Sequence, residues 1–171
     1  SEELVKGLLD QFETDPTLLW QSNMFGKSLE VLVINDGSKD NSSAIAHEYE
    51  AKYPNTFRVI DKENGNYGSC INRGLKEAKG KYIKVLDADD WFDTNELARF
   101  IHKLPDVNVD LLLTDFSVFD VPSQTTSLAY HPLIKIGEVL DFSKCTLEEL
   151  SVYMMHAVTY KTELLRSIKY V

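Results

Sequence analysis

Lys81-Tyr82-Ile83-Lys84-Val85-Leu86-Asp87-Ala88-Asp89-Asp90-Trp91-Phe92 climbs through β-prone, mostly apolar residues to three acids within four positions, then falls back onto two aromatics. A run of this shape reads as a strand that ends at a site. Three carboxylates so close together repel one another unless a cation or a set of donors offsets the repulsion. Hard divalent ions such as Mg²⁺ or Mn²⁺ accept one or two such carboxylates and complete their shell with water and phosphate oxygens. A solvated acidic turn ahead of a helix, with an Asp as cap, carries the same signature.

The segments around this strand decide between the two. Leu4, Val5, Leu8, Leu9 and Phe12 recur at helical spacing behind Ser1, a cap, and Asp15-Pro16 closes that opening helix. Leu29 to Ile34 is a short apolar run, as expected of a strand buried on both faces of a parallel sheet, and it ends at Asn35-Asp36-Gly37-Ser38. A helix follows over about 42–52 with Ala44, Ile45 and Tyr49 inward, then a strand over Phe57 to Ile60. A polar loop, Lys62 to Gly68, leads into a helix carrying Cys70, Leu75 and Ala78 that stops at Gly80. This alternation of strand and helix argues an α/β domain with right-handed crossovers, in which ligands sit beyond the carboxyl ends of the strands. Asp36, Asn64 to Ser69 and Asp87 to Asp90 then converge on one edge, which favours the site over the solvated turn. Downstream, Thr94 caps a helix through Leu104, Asp110 to Val121 forms one long strand, and 122–145 supplies turns and short strands. Thr146 to Val152 reads as a short helix, Tyr153 to Tyr160 as extended, and a last helix starts near Thr162.

Composition narrows the function classes. The 171 residues, 43% apolar and 26% charged, suit a single globular domain, and the net charge of -9 argues against nucleic acid or an anionic membrane as partner. Cys70 and Cys145 form no metal-ligand pair and read as reduced packing residues of a cytoplasmic protein. No apolar run is long enough to span a bilayer, and the polar start is no signal peptide. Gly74 to Lys81 fails as a phosphate-binding loop because five residues separate its glycines and no Ser or Thr follows the lysine. A dinucleotide GxGxxG is missing, Asp36 to His47 lacks the calcium-loop glycine and glutamate, and no GxSxG elbow or Ser/His or Cys/His pair offers a nucleophile. The histidines at 47, 102, 131 and 156 are scattered and take no assigned role.

Three blocks, in order and spacing, resemble the family 2 glycosyltransferases of the GT-A fold. These are Val33-Ile34-Asn35-Asp36-Gly37-Ser38-Lys39-Asp40-Asn41-Ser42, then Glu63-Asn64-Gly65 with Gly68-Ser69, Asn72 and Gly74-Leu75, then Gly80-Lys81-Tyr82-Ile83 with Asp87-Ala88-Asp89-Asp90. The resemblance spans about residues 29 to 93. It implies a GT-A-type domain with a mixed, mostly parallel sheet flanked by helices, its nucleotide-binding half at about 1–121 and the start of an acceptor-side region at about 122–171. It implies transfer of a sugar from a nucleoside-diphosphate donor, a UDP-sugar foremost, to a hydroxyl of a carbohydrate or glycoconjugate acceptor, with inversion. A bacterial role in polysaccharide synthesis, in the cytoplasm or at the inner face of the membrane, belongs to the same implication. Carried over, Asp36 contacts the base, Asn64, Gly65, Gly68, Ser69 and Asn72 line the base and phosphate pocket, and Asp87 sits by the ribose and metal. Asp89 is the direct ligand of a divalent cation, Mn²⁺ or Mg²⁺. Glycines at 65 and 68 suit positive φ and close backbone approach.

Three departures accompany the resemblance. The family's opening strand, with its Pro-x-Tyr-Asn type end, is not in this sequence, so the expectation is a fragment with a vacancy in the sheet beside residues 30 to 35. Ile71 stands where many members have Arg. Asp141, Glu148, Glu149 and Glu163 do not fit the catalytic-base block, so the catalytic residue is unassigned and expected beyond Val171. A sugar-nucleotide pyrophosphorylase would need a glycine-rich basic loop near its first strand, and a non-catalytic nucleotide-binding or interaction module is the other alternative.

Overall fold

The computed structural model describes residues 2–13, 29–129, 137–146 and 155–168. Helix α1 (Glu2–Glu13) places Leu9 and Phe12 in the core, with Val5 packed beside them, while Leu4 faces out. Strand β1 (Val31–Asp36) pairs in parallel with β2 (Phe57–Lys62), Val31 opposite Phe57 and Asp36 opposite Lys62. Helix α2 (Ser42–Lys52) connects them and buries Ser42, Ala46 and Tyr49. Ala44, expected inward, is exposed, because the face that meets α1 and β2 follows the i, i+4, i+7 spacing of 42, 46 and 49.

The core is centred on Phe57, 1% exposed, whose ring meets Phe12, Tyr49 and Tyr53 at centroid distances of 5.9, 5.8 and 6.1 Å. Edge-to-face contacts of this kind add to the burial of each ring. Leu97 completes the cluster from α4 (Thr94–Lys103). That helix is capped by Asp93, whose carboxylate accepts from the Asn95 and Glu96 amides at 3.0 and 3.1 Å. The cap is therefore Asp93, one residue before the Thr94 expected, and its charge favours the positive end of the helix dipole.

Helix α3 (Asn66–Glu77) is tied down at its carboxyl end by two arginines. Arg58 of β2 donates to Glu30 and Glu77 and to the Glu77 carbonyl at 2.7 Å. Arg166, in α5 (Thr162–Ser167), donates to the carbonyls of Leu75 and Ala78 at 2.9 and 2.6 Å, satisfying acceptors the helix end leaves open. Anchored there, α3 presents its amino end to the tips of the strands.

Strand β3 (Tyr82–Lys84) is shorter than the sequence suggests, and Val85 and Leu86 leave the sheet before the acids. It pairs antiparallel with β7 (Val158–Lys161), which pairs antiparallel with β4 (Leu111–Leu113) on its other side. The long strand expected over Asp110 to Val121 is two, β4 and β5 (Phe116–Asp120), and β5 makes an antiparallel hairpin with β6 (Thr125–Ala129). The β4–β7 register runs on one residue past β4, the Thr114 amide donating to the Ala157 carbonyl at 2.9 Å and its hydroxyl to the same oxygen at 3.1 Å, before β5 takes β6 as its partner. The expected helix at Thr146 to Val152 falls almost wholly outside the described residues. Of the extended piece near Tyr153 to Tyr160, the described part is a 3₁₀ turn, Met155–Ala157, followed by β7.

Among the described residues the sheet is mixed but not mostly parallel: β1 and β2 pair in parallel, and the other three pairings are antiparallel. Nor is β1 buried on both faces, since all six of its residues are half-buried. No described strand pairs with its edge opposite β2.

Candidate nucleotide-binding site

Asp36 ends β1 where Gly37 turns the chain at φ 72°, in the left-handed region that glycine tolerates. A Cβ on Gly37 would stand 3.0 Å from the Asn64 amide nitrogen, so the turn and the loop after β2 are in close contact. Three groups of that loop fasten onto Asp36. Lys62 ion-pairs with its carboxylate, the Gly65 amide donates to the same oxygen, Oδ1, at 2.9 Å, and the Asn64 side chain donates to its carbonyl at 3.1 Å. The Lys62 hydrogen bond, and after it the Gly65 amide, hold the Asp36 carboxyl below its usual range. Burial and then the nearby Asp36 charge push the Cys70 thiol up, so it stays a thiol beside the carboxylate.

The glycines act differently from the expectation. Gly65 has φ −143° and Gly68 lies in the first turn of α3, so neither uses positive φ; Asn66 does, at 65°. Gly65 is required for space, because a Cβ there would come within 2.7 Å of Ser69 Oγ. Ser69 donates that hydroxyl to the Asn66 carbonyl at 2.7 Å, fixing the first turn of the helix. A Cβ on Gly68 would meet only Asn66 Oδ1, at an ordinary 4.0 Å, and Asn72 is exposed one turn further along.

Tyr67 links this loop to the acids. Its hydroxyl donates to Asp87 Oδ1 at 2.9 Å and lies 3.4 Å from the Met155 sulfur. Desolvation and then the Asp87 hydrogen bond push the phenol up to about 12, so it remains a donor throughout the neutral range. Asp89 is exposed and makes no hydrogen bond among the described residues. It lines an open cleft of about 290 Å³ together with Asp90, Trp91 and, from α1, Glu3, Leu8 and Gln11. The structure thus joins Asp36, Asn64 and Gly65 directly and brings Asp87 to the same loop through Tyr67. Asp89 it sets on the α1 side.

Among the described residues no cluster of three or more His, Cys, Asp or Glu side chains could cage a metal. The carboxylates offered are Asp87, orientated by a phenol, and Asp89, on the α1 side. That fits Mg²⁺ or Mn²⁺, which keep water and substrate phosphates as further ligands.

Sequence reasoning singled out neither Lys62 nor Lys84. Lys62 carried a signal: a lysine ending the strand beside an Asp-Gly-Ser turn is placed to neutralise the aspartate. Lys84 is largely buried and has no carboxylate partner among the described residues, its ammonium donating to the His156 carbonyl at 2.6 Å, and burial pulls its pKa down to about 8. His156 stacks edge-on against Phe116 at 4.5 Å.

Comparison with known proteins places these features in a family. The description Glycosyl transferase family 2 matches residues 2–168. The chain is 36% identical over 90 residues to a putative glycosyltransferase EpsH of Bacillus subtilis, covering 53% of this chain and 26% of that protein. It is 32% identical over 146 residues to an uncharacterized glycosyltransferase of Rickettsia bellii, covering 84% of this chain and 20% of that one. The minor teichoic acid biosynthesis protein GgaB of Bacillus subtilis is 44% identical over 64 residues, 37% of this chain and 7% of its own. The chain spans less than a third of the length of these relatives. With the Asp-Gly-Ser turn, the glycine loop and the Asp-x-Asp segment assembled as described, the chain belongs to glycosyl transferase family 2.

Proposed function

We propose that this chain carries the donor-binding site of a glycosyltransferase that moves a sugar from a nucleoside diphosphate, UDP foremost, to a hydroxyl of a carbohydrate or glycoconjugate acceptor. The observation that carries the reading is that one segment, Gly65 to Tyr67, holds Asp36 at one end and Asp87 at the other. One end offers a carboxylate to a base, the middle offers loop amides and the open face of Gly68, and the far end offers acids to a cation on a diphosphate.

In this reading Asp36 binds the base, with Lys62 keeping it ionised and Gly65 keeping it aimed. Asn64, Ser69 and Asn72 line the pocket beside it. Asp87 and Asp89 would hold a divalent cation, which supplies charge neutralisation for the departing diphosphate. Tyr67 fixes the orientation of Asp87. The acceptor oxygen forms its bond to the anomeric carbon as the bond from that carbon to the diphosphate oxygen breaks, so the configuration inverts. The acceptor proton passes to a base that none of the described residues supplies. The free thiols of Cys70 and Cys145 fit work in the cytoplasm, and no described helix is long and apolar enough to cross a membrane. We also infer one domain in which a further strand fills the open edge of β1, with the acceptor side starting at about residue 122.

Titration calorimetry with UDP, GDP, CDP and ADP, with and without Mn²⁺, tests the reading. Binding strengthened by Mn²⁺, with that increment lost in Asp89→Ala, is the expected result. Binding indifferent to Mn²⁺ and to Asp89 removes the metal role. Failure of all four nucleotides to bind leaves an interaction module as the better description.

A further inference from the structure

A line of hydrogen bonds runs from the solvent face of α2 to the turn that carries Asp36. The His47 ring stands between two carboxylates, Nε2 at 2.8 Å from Asp61 Oδ2 and Nδ1 at 2.8 Å from Glu50 Oε2. Asp61, at the end of β2, uses its other oxygen to accept from Asn35 Nδ2 and from Ser43 Oγ, both at 2.7 Å. Asn35 in turn accepts the Ser38 amide on its Oδ1 at 3.1 Å, closing the turn over Asp36 and Gly37. Glu50 is fixed from behind by the Val59 amide at 2.8 Å. The groups facing His47 are thus Glu50 and Ser43 from its own helix, Asp61 from β2 and, through Asp61, Asn35 from β1.

Each link is directional. An amide side chain with a carboxylate on one side and an N–H on the other has one orientation that satisfies both, so Asp61 determines which way Asn35 points. Only a protonated imidazole can donate from both nitrogens; a neutral ring donates to one carboxylate and turns a lone pair on the other. The contacts with Asp61 and then Glu50 raise the His47 pKa, while those with His47, Asn35 and Ser43 bring Asp61 down to about 2. A group raised in this way contributes fully below its unfolded pKa, and its contribution fades as pH rises through the folded value.

We propose that His47, acting through Asp61 and Asn35, is a positioning residue for the donor nucleotide, holding the Asn35–Ser38 turn so that Asp36 is aimed at the base. The proposal rests on the nucleotide reading of Asp36. None of the three resemblance blocks contains His47 or Asp61, and neither residue touches the candidate pocket. Their effect on binding is exerted through the shape of the turn.

The test measures Mn²⁺-dependent affinity for whichever of UDP, GDP, CDP and ADP binds, in the wild type, Asp36→Ala, Asp61→Ala, His47→Ala and His47→Arg. Asp61→Ala and His47→Ala weaken binding about threefold to tenfold, the worth of one ordinary hydrogen bond, since the relay acts on Asp36 only through the turn. Arg, charged at every pH used and rich in donors, restores most of the affinity. Between pH 6 and 9 the ratio of wild-type to His47→Arg affinity falls a few-fold; taking the ratio cancels ionisation of the nucleotide's own phosphate. Melting temperatures of all variants separate loss of fold from loss of aim. If Asp36→Ala abolishes binding while the Asp61 and His47 variants bind as the wild type does, or lose melting temperature alone, the relay is overturned and the nucleotide reading stands. If Asp36→Ala binds normally, or no nucleotide binds, the nucleotide reading falls and the relay with it.

Discussion

Lys62 and Asp36, last residues of neighbouring parallel strands, form an ion pair across the strand tips, and the Gly65 amide shares the same carboxylate oxygen. Asp36 is depressed by this arrangement, so its contribution to stability is present above the usual carboxylate pKa and is lost as pH falls through the lower folded value. Lys62→Met should therefore be less stable than the wild type at pH 7, with the gap closing in acid. Urea titrations at pH 7 and pH 3 measure the two differences. The same variant should bind a nucleoside diphosphate more weakly, because Asp36 loses its orientation.

Tyr67→Phe removes the one side-chain donor to the Asp87 carboxylate among the described residues. Outer partners of metal-binding carboxylates are worth about tenfold or more in metal affinity. The Mn²⁺ concentration that gives half-maximal nucleotide binding should rise by about that factor while the melting temperature changes little. Because the phenol is pushed up to about 12, the wild-type requirement should not change as Tyr67 passes through pH 7 to 9.

Lys84 predicts an unusual pH profile. Its pKa falls from 10.5 to about 8 on folding, so between those values the unfolded chain holds more protons than the folded one and stability rises with pH. The full rise is roughly 3 kcal/mol for a shift of this size. Lys84→Met should abolish the rise and gain about 1–2 kcal/mol at pH 7, the remainder being lost with the donor to His156. Denaturant midpoints at pH 7 and pH 10 check both.

Thr159 lies in β7, 1% exposed, and its hydroxyl finds no partner among the described residues. Thr159→Val replaces the hydroxyl with a methyl of similar size and should stabilise by about 1 kcal/mol, since an unpaired buried hydroxyl loses its water without recompense. A fall in the urea midpoint instead would show that the hydroxyl has a partner.

The sequence was most informative where one local signal sufficed. The helices at α1, α2 and α4 follow from apolar spacing, and β1, β2 and the Asp36 turn from an apolar run ending in Asn-Asp-Gly-Ser. Pairing was less legible, because β7 lies between β3 and β4 although it follows both in the chain, and no periodicity within Tyr82–Lys84 announces an antiparallel partner some 75 positions away. Likewise β4 pairs with β7 and β5 with β6, a division that the apolar run from Asp110 to Val121 does not mark. At the candidate site, the acids and glycines could be read directly. Of the devices that orientate them, Lys62 on Asp36 left a trace in the sequence, whereas Tyr67 on Asp87 did not, since it depends on where a loop folds back.

The edge of β1 opposite β2, unpaired among the described residues, has a signature in hydrogen exchange. The Val31 amide donates to the Thr56 carbonyl at 2.7 Å, so in this strand the N–H groups of Val31, Val33 and Asn35 point towards β2, while those of Leu32, Ile34 and Asp36 point the other way. With that edge uncovered, deuterium enters at the second set long before the first, in strict alternation along six residues. A neighbouring strand would slow the fast set and erase the alternation, so labelling β1 alone reports whether that side is occupied.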